Sequence, residues 1–258
     1  MFHSRRTDHA SELSLSFARK AYTAKTNSEL KCGVESMIER EKFPRLPRHI
    51  GLIPDGNRRW ARERGLEVKD GYEAGVDQGI QMLDECIDLG IEEVSVYGFT
   101  MDNNKRPIEQ RMAFSAACVR FAKTATERDI ALKVVGDHTS AMFPPELTPF
   151  ARERLGNGRL KVNMLVNYGW NWDLQAAVST AKRSDEKRPF QELIASRDVS
   201  RIDLVVRWGG MRRLSGFLPI QTVYADFFVV DNYWPDYTPD QFFDALHWYA
   251  RQDVTQGG

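Results

Sequence analysis

This 258-residue chain lacks an excess of charge of either sign, paired cysteines and long apolar runs, and each absence removes a class of function. Thirty-six Lys and Arg balance thirty-six Asp and Glu. No global positive field therefore points to nucleic acid or an anionic membrane, and any anion site must come from local clustering. Cys32, Cys86 and Cys118 are odd in number, widely spaced and without a CxxC pair. They suit reduced structural thiols better than a disulfide framework or a zinc centre. No uncharged apolar run reaches transmembrane length, and the N-terminal stretch has no apolar core of the signal-peptide kind. A soluble, cytoplasmic protein is expected. Nor is there a Ser–His–Asp or Cys–His set: His49, His138 and His247 have no nameable partners and read as structural.

What is present is the alternation of an α/β fold, with 42% hydrophobic residues to fill a core. Residues 1–40 are polar, with a weak helical pattern over 11–22, and read as a tail or peripheral helix preceding one domain over 41–258. Six apolar runs, 49–54, 93–99, 132–137, 160–168, 203–209 and 225–231, read as buried strands of a mainly parallel six-stranded sheet surrounded by helices. Val76, Ile80, Leu83 and Ile87 mark one face of a crossover helix ending at Gly90. Further helices are predicted over 107–128, 171–183 and 239–251, the last with Thr238 as N-cap and Pro239 at the first position. No repeat, low-complexity segment or domain linker interrupts the alternation. Ligands of such sheets collect beyond the carboxyl ends of the strands, so the loops after 54, 99, 168 and 209 are the places to search.

The first loop, within 52-LIPDGNRRWARERG-65, passes from a strand through Asp55, Gly56 and Asn57 to Arg58, Arg59 and Trp60, where a helix should begin. Backbone N–H groups at a helix start, with guanidinium groups beside them, favour a phosphate; a carboxylate among phosphates makes sense mainly where Mg2+ bridges them. The alternative is an Asp N-cap followed by solvated arginines on a surface helix. The second loop, 97-YGFTMDNNKRP-107, carries Thr100, Asp102, Asn103, Asn104 and Arg106, or is simply a polar turn with a cap. In the third, 207-RWGGMRRLSGF-217, two glycines let the backbone approach a ligand among Arg207, Arg212, Arg213 and Ser215. That composition suits a diphosphate, although it is neither a Walker loop nor GxGxxG. In 166-VNYGWNWD-173, Asp173 is either a cap with packing partners or a functional acid.

Taken in order, these segments resemble the cis-prenyltransferases, the (Z)-isoprenyl diphosphate synthase family that includes undecaprenyl diphosphate synthase, over about residues 45–253. The first loop is similar to the family's strand followed by D-G-N-x-R-W-A, and GYEAG to its G-H-x-A-G with Tyr72 in place of His. YGFTMDNNKRP resembles Y-x-F-S-x-E-N-W-x-R-P, and NYGWNWD resembles N-Y-G-G-R-x-D/E. RWGGMRRLSGFLPIQTVYADFF resembles R-T-G-G-E-x-R-x-S-N-F-L-x-W-Q-x-x-Y-A-E-x-x-F. The resemblance implies a homodimer with an apolar tunnel, and Mg2+-dependent condensation of an allylic diphosphate with isopentenyl diphosphate. By position, Asp55 would hold Mg2+ and assist departure of the allylic diphosphate. Gly56, Asn57, Arg58, Arg59 and Trp60 would cradle that group, and Asn103 would take part in proton removal. Arg106 matches a substrate-site arginine, and Arg207, Arg213, Leu214 and Ser215 fall on the isopentenyl diphosphate clamp. Asp226 stands where the family has a Glu that assists the metal.

The departures are Met211 for the Glu of GGE, Asn104 for the aromatic of E-N-W, Thr100-Met101 before the second motif's acidic position, Tyr72 and Asp226. Several fall in the pocket of the second substrate or at the metal. They leave open a head-to-middle coupling of two allylic diphosphates, as in lavandulyl-type synthases. A non-catalytic partner subunit would typically lack the acid that Asp55 provides.

Overall fold

The computed structural model describes residues 43–181 and 188–253; the 1–40 extension, Cys32 and positions 182–183 of one predicted helix lie outside the described residues. The apolar runs become β1 (His49–Ile53), β2 (Glu93–Tyr97), β3 (Ile130–Val135), β4 (Leu160–Leu165), β5 (Leu204–Arg207) and β6 (Asp226–Val229). They form one sheet of order β3-β4-β2-β1-β5-β6, and every pairing is parallel. A parallel sheet is covered on both faces, which is why its central strands read as nearly unbroken apolar runs. Leu52 and Val206 pack on one face, their neighbours Ile53 and Val205 on the other. β3 starts two residues before its predicted position, and several strands end early where the chain turns into the polar loops.

One face carries α2 (Val68–Leu89), α3 (Ile108–Ala125) and α7 (Pro239–Ala250); α1 (Asn57–Glu63) leads into α2. The remaining short helices are α4 (Thr148–Arg152), α5 (Trp170–Ala181) and α6 (Phe190–Leu193). Helix α2 buries Val76, Ile80 and Leu83 and stops at Gly90, whose φ of 69° an L side chain would strain. Helix α7 opens on a Thr238–Gln241 capping box with Pro239 in its first turn.

The chain leaves β1 to build β2, β4 and β3 on one side, then returns to place β5 and β6 on the other. This reversal opens a crevice beyond the carboxyl ends of β1 and β5. At the opposite end of the sheet His49 is structural, as expected: its ring bonds Ser95 Oγ (2.9 Å) and Ser200 Oγ (2.9 Å). His247 lies against the Phe43 ring, and His138 edge-on to Phe143.

Candidate active site

Asp55 follows β1 by two residues, and its carboxylate does not cap α1. The N-cap is Gly56, at φ 109° and without a side-chain cap bond. Freed from capping, Asp55 Oδ2 accepts a hydrogen bond from Arg207 Nη2 at 2.8 Å, and its other oxygen lies 3.4 Å from Arg59 Nη2. Arg207, the last residue of β5, is nearly buried (side chain 5% exposed); it also donates to Ser215 Oγ (3.0 Å) and to the Arg213 carbonyl. Its guanidinium is thus aimed before any ligand arrives. Two features of the 207–217 loop permit this. Gly209 holds φ 88°, where an L side chain is strained, and a Cβ there would lie 3.0 Å from the Asp55 carbonyl. Ser215 sits at φ 53°, a strained conformation that holds its hydroxyl against Arg207.

The resulting cleft, of about 410 Å3, is lined by six arginines (58, 59, 62, 106, 207 and 213) against two aspartates, Asp55 and Asp102. In a chain of zero net charge this is the local cationic cluster that a multiply charged anion requires. The second loop supplies the opposite wall. Thr100 and Asn103 form a capping box at a 3-10 turn over Met101–Lys105, and Asn103 Oδ1 accepts the Thr100 N–H at 3.1 Å. The Asn103 amide therefore presents its NH2 end as the available group. Arg106 Nη1 donates to the Tyr72 hydroxyl at 3.2 Å, and Tyr72 stacks on Phe114 with centroids 4.6 Å apart. Tyr97 donates to the Ser215 carbonyl, tying the second loop to the third. Burial pushes its phenol up to about 12, so it stays neutral. Beneath the cleft, between α2, α3 and the sheet, lies an apolar cavity of about 60 Å3.

Residues 53–257 match the undecaprenyl diphosphate synthase family model. The chain belongs to the cis-prenyltransferase family. Among relatives, it is 35% identical over 223 residues to the ditrans,polycis-undecaprenyl-diphosphate synthase ((2E,6E)-farnesyl-diphosphate specific) of Pseudomonas putida, covering 80% of this chain and 88% of that one. It is 30% identical over 223 residues to an isoprenyl transferase of Nitrosomonas europaea, covering 81% and 84%. Its fold is similar to that of the lavandulyl diphosphate synthase of Lavandula x intermedia, whose crystal structure is a complex with dimethylallyl diphosphate. There the TM-score is 0.72 at 22% identity, over 81% of this chain and 97% of that one.

Most residues expected from the cis-prenyltransferase motifs line the cleft: Asp55, Gly56, Asn57, Arg58, Arg59, Tyr72, Thr100, Asp102, Asn103, Arg106, Arg207, Arg213 and Ser215. Five do not. Trp60 turns to the far side of α1, where its indole donates to Asp236 (2.7 Å) beneath Arg64. Met101 packs against Gly169, Leu214 joins the core under α5, and Asn104 donates to Asn167 (3.1 Å). Asp226 opens β6 and pairs in register with Leu204, three residues before Arg207, which sets it roughly 10 Å down the sheet from the cleft. Its neighbours there are Arg45 and Asp203. Within one chain Asp226 and Asp55 therefore cannot share an ion. Asp173 is a packing residue, fully buried and bonded by Tyr168 Oη (2.8 Å) and Ser196 Oγ (2.7 Å). Tyr97 and Phe114, not singled out by the sequence reading, line both the cleft and the apolar cavity. Tyr97 stands inside a motif, but nothing local distinguishes Phe114 from core.

Among the described residues no group of three or more His, Cys, Asp or Glu converges on one point. Asp55, about one-third exposed and surrounded by arginines suited to phosphates, fits the other mode of Mg2+ binding. In that mode one carboxylate and substrate phosphate oxygens share the ion.

Proposed function

We propose that this chain is a (Z)-prenyl diphosphate synthase that ionises an allylic diphosphate and condenses it with isopentenyl diphosphate. The observation that carries this reading is the meeting of three loops at Asp55, in a cleft of six arginines and two aspartates. Arg58 and Arg59 face the allylic diphosphate, and Arg207, Arg213 and Ser215 the second diphosphate. The allylic C–O bond breaks with its electron pair going to the diphosphate oxygen. Fixed guanidinium groups stabilise that growing negative charge without reorganising. The double bond of isopentenyl diphosphate then forms the new C–C bond, and a proton leaves its second carbon. Asn103 has no basic atom, so it donates an N–H bond that orients the second substrate, and the departed diphosphate takes the proton. Asp55 would hold Mg2+, which would supply a divalent charge to offset that of the diphosphate.

Two copies acting as a dimer belong to this reading. Val223 and Tyr224, 61% and 63% exposed just before edge strand β6, support it, and sedimentation velocity tests it. A cytoplasmic setting is supported by the buried, unpaired Cys86 and Cys118.

A second reading has an observation of its own. The Glu of the family's GGE is Met211, and Met211 does not line the cleft, so the phosphate clamp is kept while an acid beside it is lost. Such a clamp would accept a second allylic diphosphate equally well. Purified protein with Mg2+ is incubated with dimethylallyl, geranyl or farnesyl diphosphate, each alone and with isopentenyl diphosphate, and the products are dephosphorylated and identified. Products that require isopentenyl diphosphate support elongation. A product from dimethylallyl diphosphate alone establishes irregular coupling. No diphosphate release under any condition overturns both.

A further inference from the structure

We propose that this enzyme is built for a five-carbon allylic chain and releases a ten-carbon product, because Tyr72, Phe114 and Phe121 narrow the apolar space below the cleft to about 60 Å3. The inference rests on the prenyltransferase reading and adds the size of its substrate. A prenyl chain whose diphosphate sits among the arginines has beside it the apolar cavity between α2 and α3 that shares Pro54, Asn57, Tyr72, Tyr97 and Phe114 with the cleft. At about 60 Å3 it is under half the roughly 150 Å3 cavity that admits benzene, a six-carbon ring. Small side-chain adjustments fit five carbons into it. Fifteen carbons need several times the space.

The narrowing walls are fastened. Tyr72 of α2 and Phe114 of α3 stack at 4.6 Å with planes 5° apart, across the mouth of the cavity. The stack is held by three contacts from two residues. Arg106 donates to the Tyr72 hydroxyl, the same guanidinium lies 5.5 Å from the Phe114 ring centroid, and Phe99 meets Phe114 edge-on at 5.5 Å. Deeper down, Phe121 fills the floor against Gly79, where an added Cβ would lie 2.9 Å from its ring; Trp234 backs the same spot. Of the four wall and floor rings, Tyr72, Phe121 and Trp234 are buried and Phe114 is partly buried. A ten-carbon product therefore cannot settle as the primer for a second cycle.

The test uses the full chain with Mg2+ and radiolabelled isopentenyl diphosphate, primed by dimethylallyl, geranyl or farnesyl diphosphate. The expected result is a ten-carbon product from the first, with kcat/KM for the other two at least about tenfold lower. Phe121→Leu and Phe114→Ala should each raise use of the longer primers about tenfold or more and yield products beyond ten carbons. Thermal melts confirm that both variants are folded, and Phe121→Leu, which shortens the floor without emptying it, guards against collapse of the other. Wild-type products longer than ten carbons overturn the inference, as do folded variants with unchanged primer preference. Complete absence of diphosphate release is a different outcome and overturns the prenyltransferase reading instead.

Discussion

Asp55 is available for chemistry because Gly56 takes the capping position, and Arg207 is positioned because Nη1 is held by Ser215 and the Arg213 carbonyl while Nη2 reaches Asp55. Asp55→Ala is expected to lower diphosphate release at least roughly a thousandfold, with Asp55→Asn close behind, since on the proposed function both remove the charge that would retain the metal. The same change strands a buried guanidinium and should cost about 1–3 kcal/mol of stability, visible as a lower melting temperature with the fold intact. His49 offers a second residue-scale prediction. Burial holds its imidazole below the ordinary 6.5, against the pull of Glu93 and Asp203. The unfolded chain binds a proton that the folded ring resists, so stability is full above about pH 6.5 and is lost as pH falls through the lower folded value. His49→Gln should flatten that dependence, read as a smaller difference between urea midpoints at about pH 7.5 and 5.5.

At the scale of elements, α1 has seven residues, too few for a helix to hold itself in water. It is docked by Trp60 and Arg64 on Asp236 and by the Tyr233 hydroxyl on Glu63. Trp60, expected against the diphosphate, thus serves the site through the helix that carries Arg58 and Arg59. Asp236→Ala should raise KM for the allylic diphosphate about three- to tenfold while costing only about 1 kcal/mol of global stability. Hydrogen exchange should report the cause as lost protection over residues 57–63. A change confined to kcat, with protection intact, would count against docking as the role of Asp236.

For the whole molecule, charge is balanced overall and concentrated at one end of the sheet. Added salt should therefore raise KM for both diphosphates while leaving the fold untouched. With Asp55 and Asp102 lining the cleft and no cluster of three acids or other ligands among the described residues, any metal there is expected to be held jointly with substrate. Chelation should abolish turnover without lowering the melting temperature of ligand-free protein, and Mg2+ with pyrophosphate should raise that temperature more than Mg2+ alone. A large loss of stability on chelation alone would point to a structural metal among the chain's own side chains.

Strand identities, the α/β alternation and the three arginine-bearing loops were legible in the sequence, because burial on both faces of a parallel sheet and turn chemistry are local properties. So were the family motifs, which lie in contiguous segments. Other features depended on distances between residues far apart in the chain. Local sequence does not say that Gly56 rather than Asp55 caps α1, and it does not pair Asp55 with Arg207, 152 residues away. It cannot show that Asp226 starts its strand at the opposite end of the sheet, because strand register is set by pairing partners. Nor can it separate Tyr72, Phe114 and Phe121 from ordinary core, since the same apolar side chains fill a core or wall a substrate pocket. The sequence by itself determined the fold and the arginine-rich composition of the loops at one end of the sheet; only the packing of α2 against α3 decided how much apolar room remains beneath the cleft.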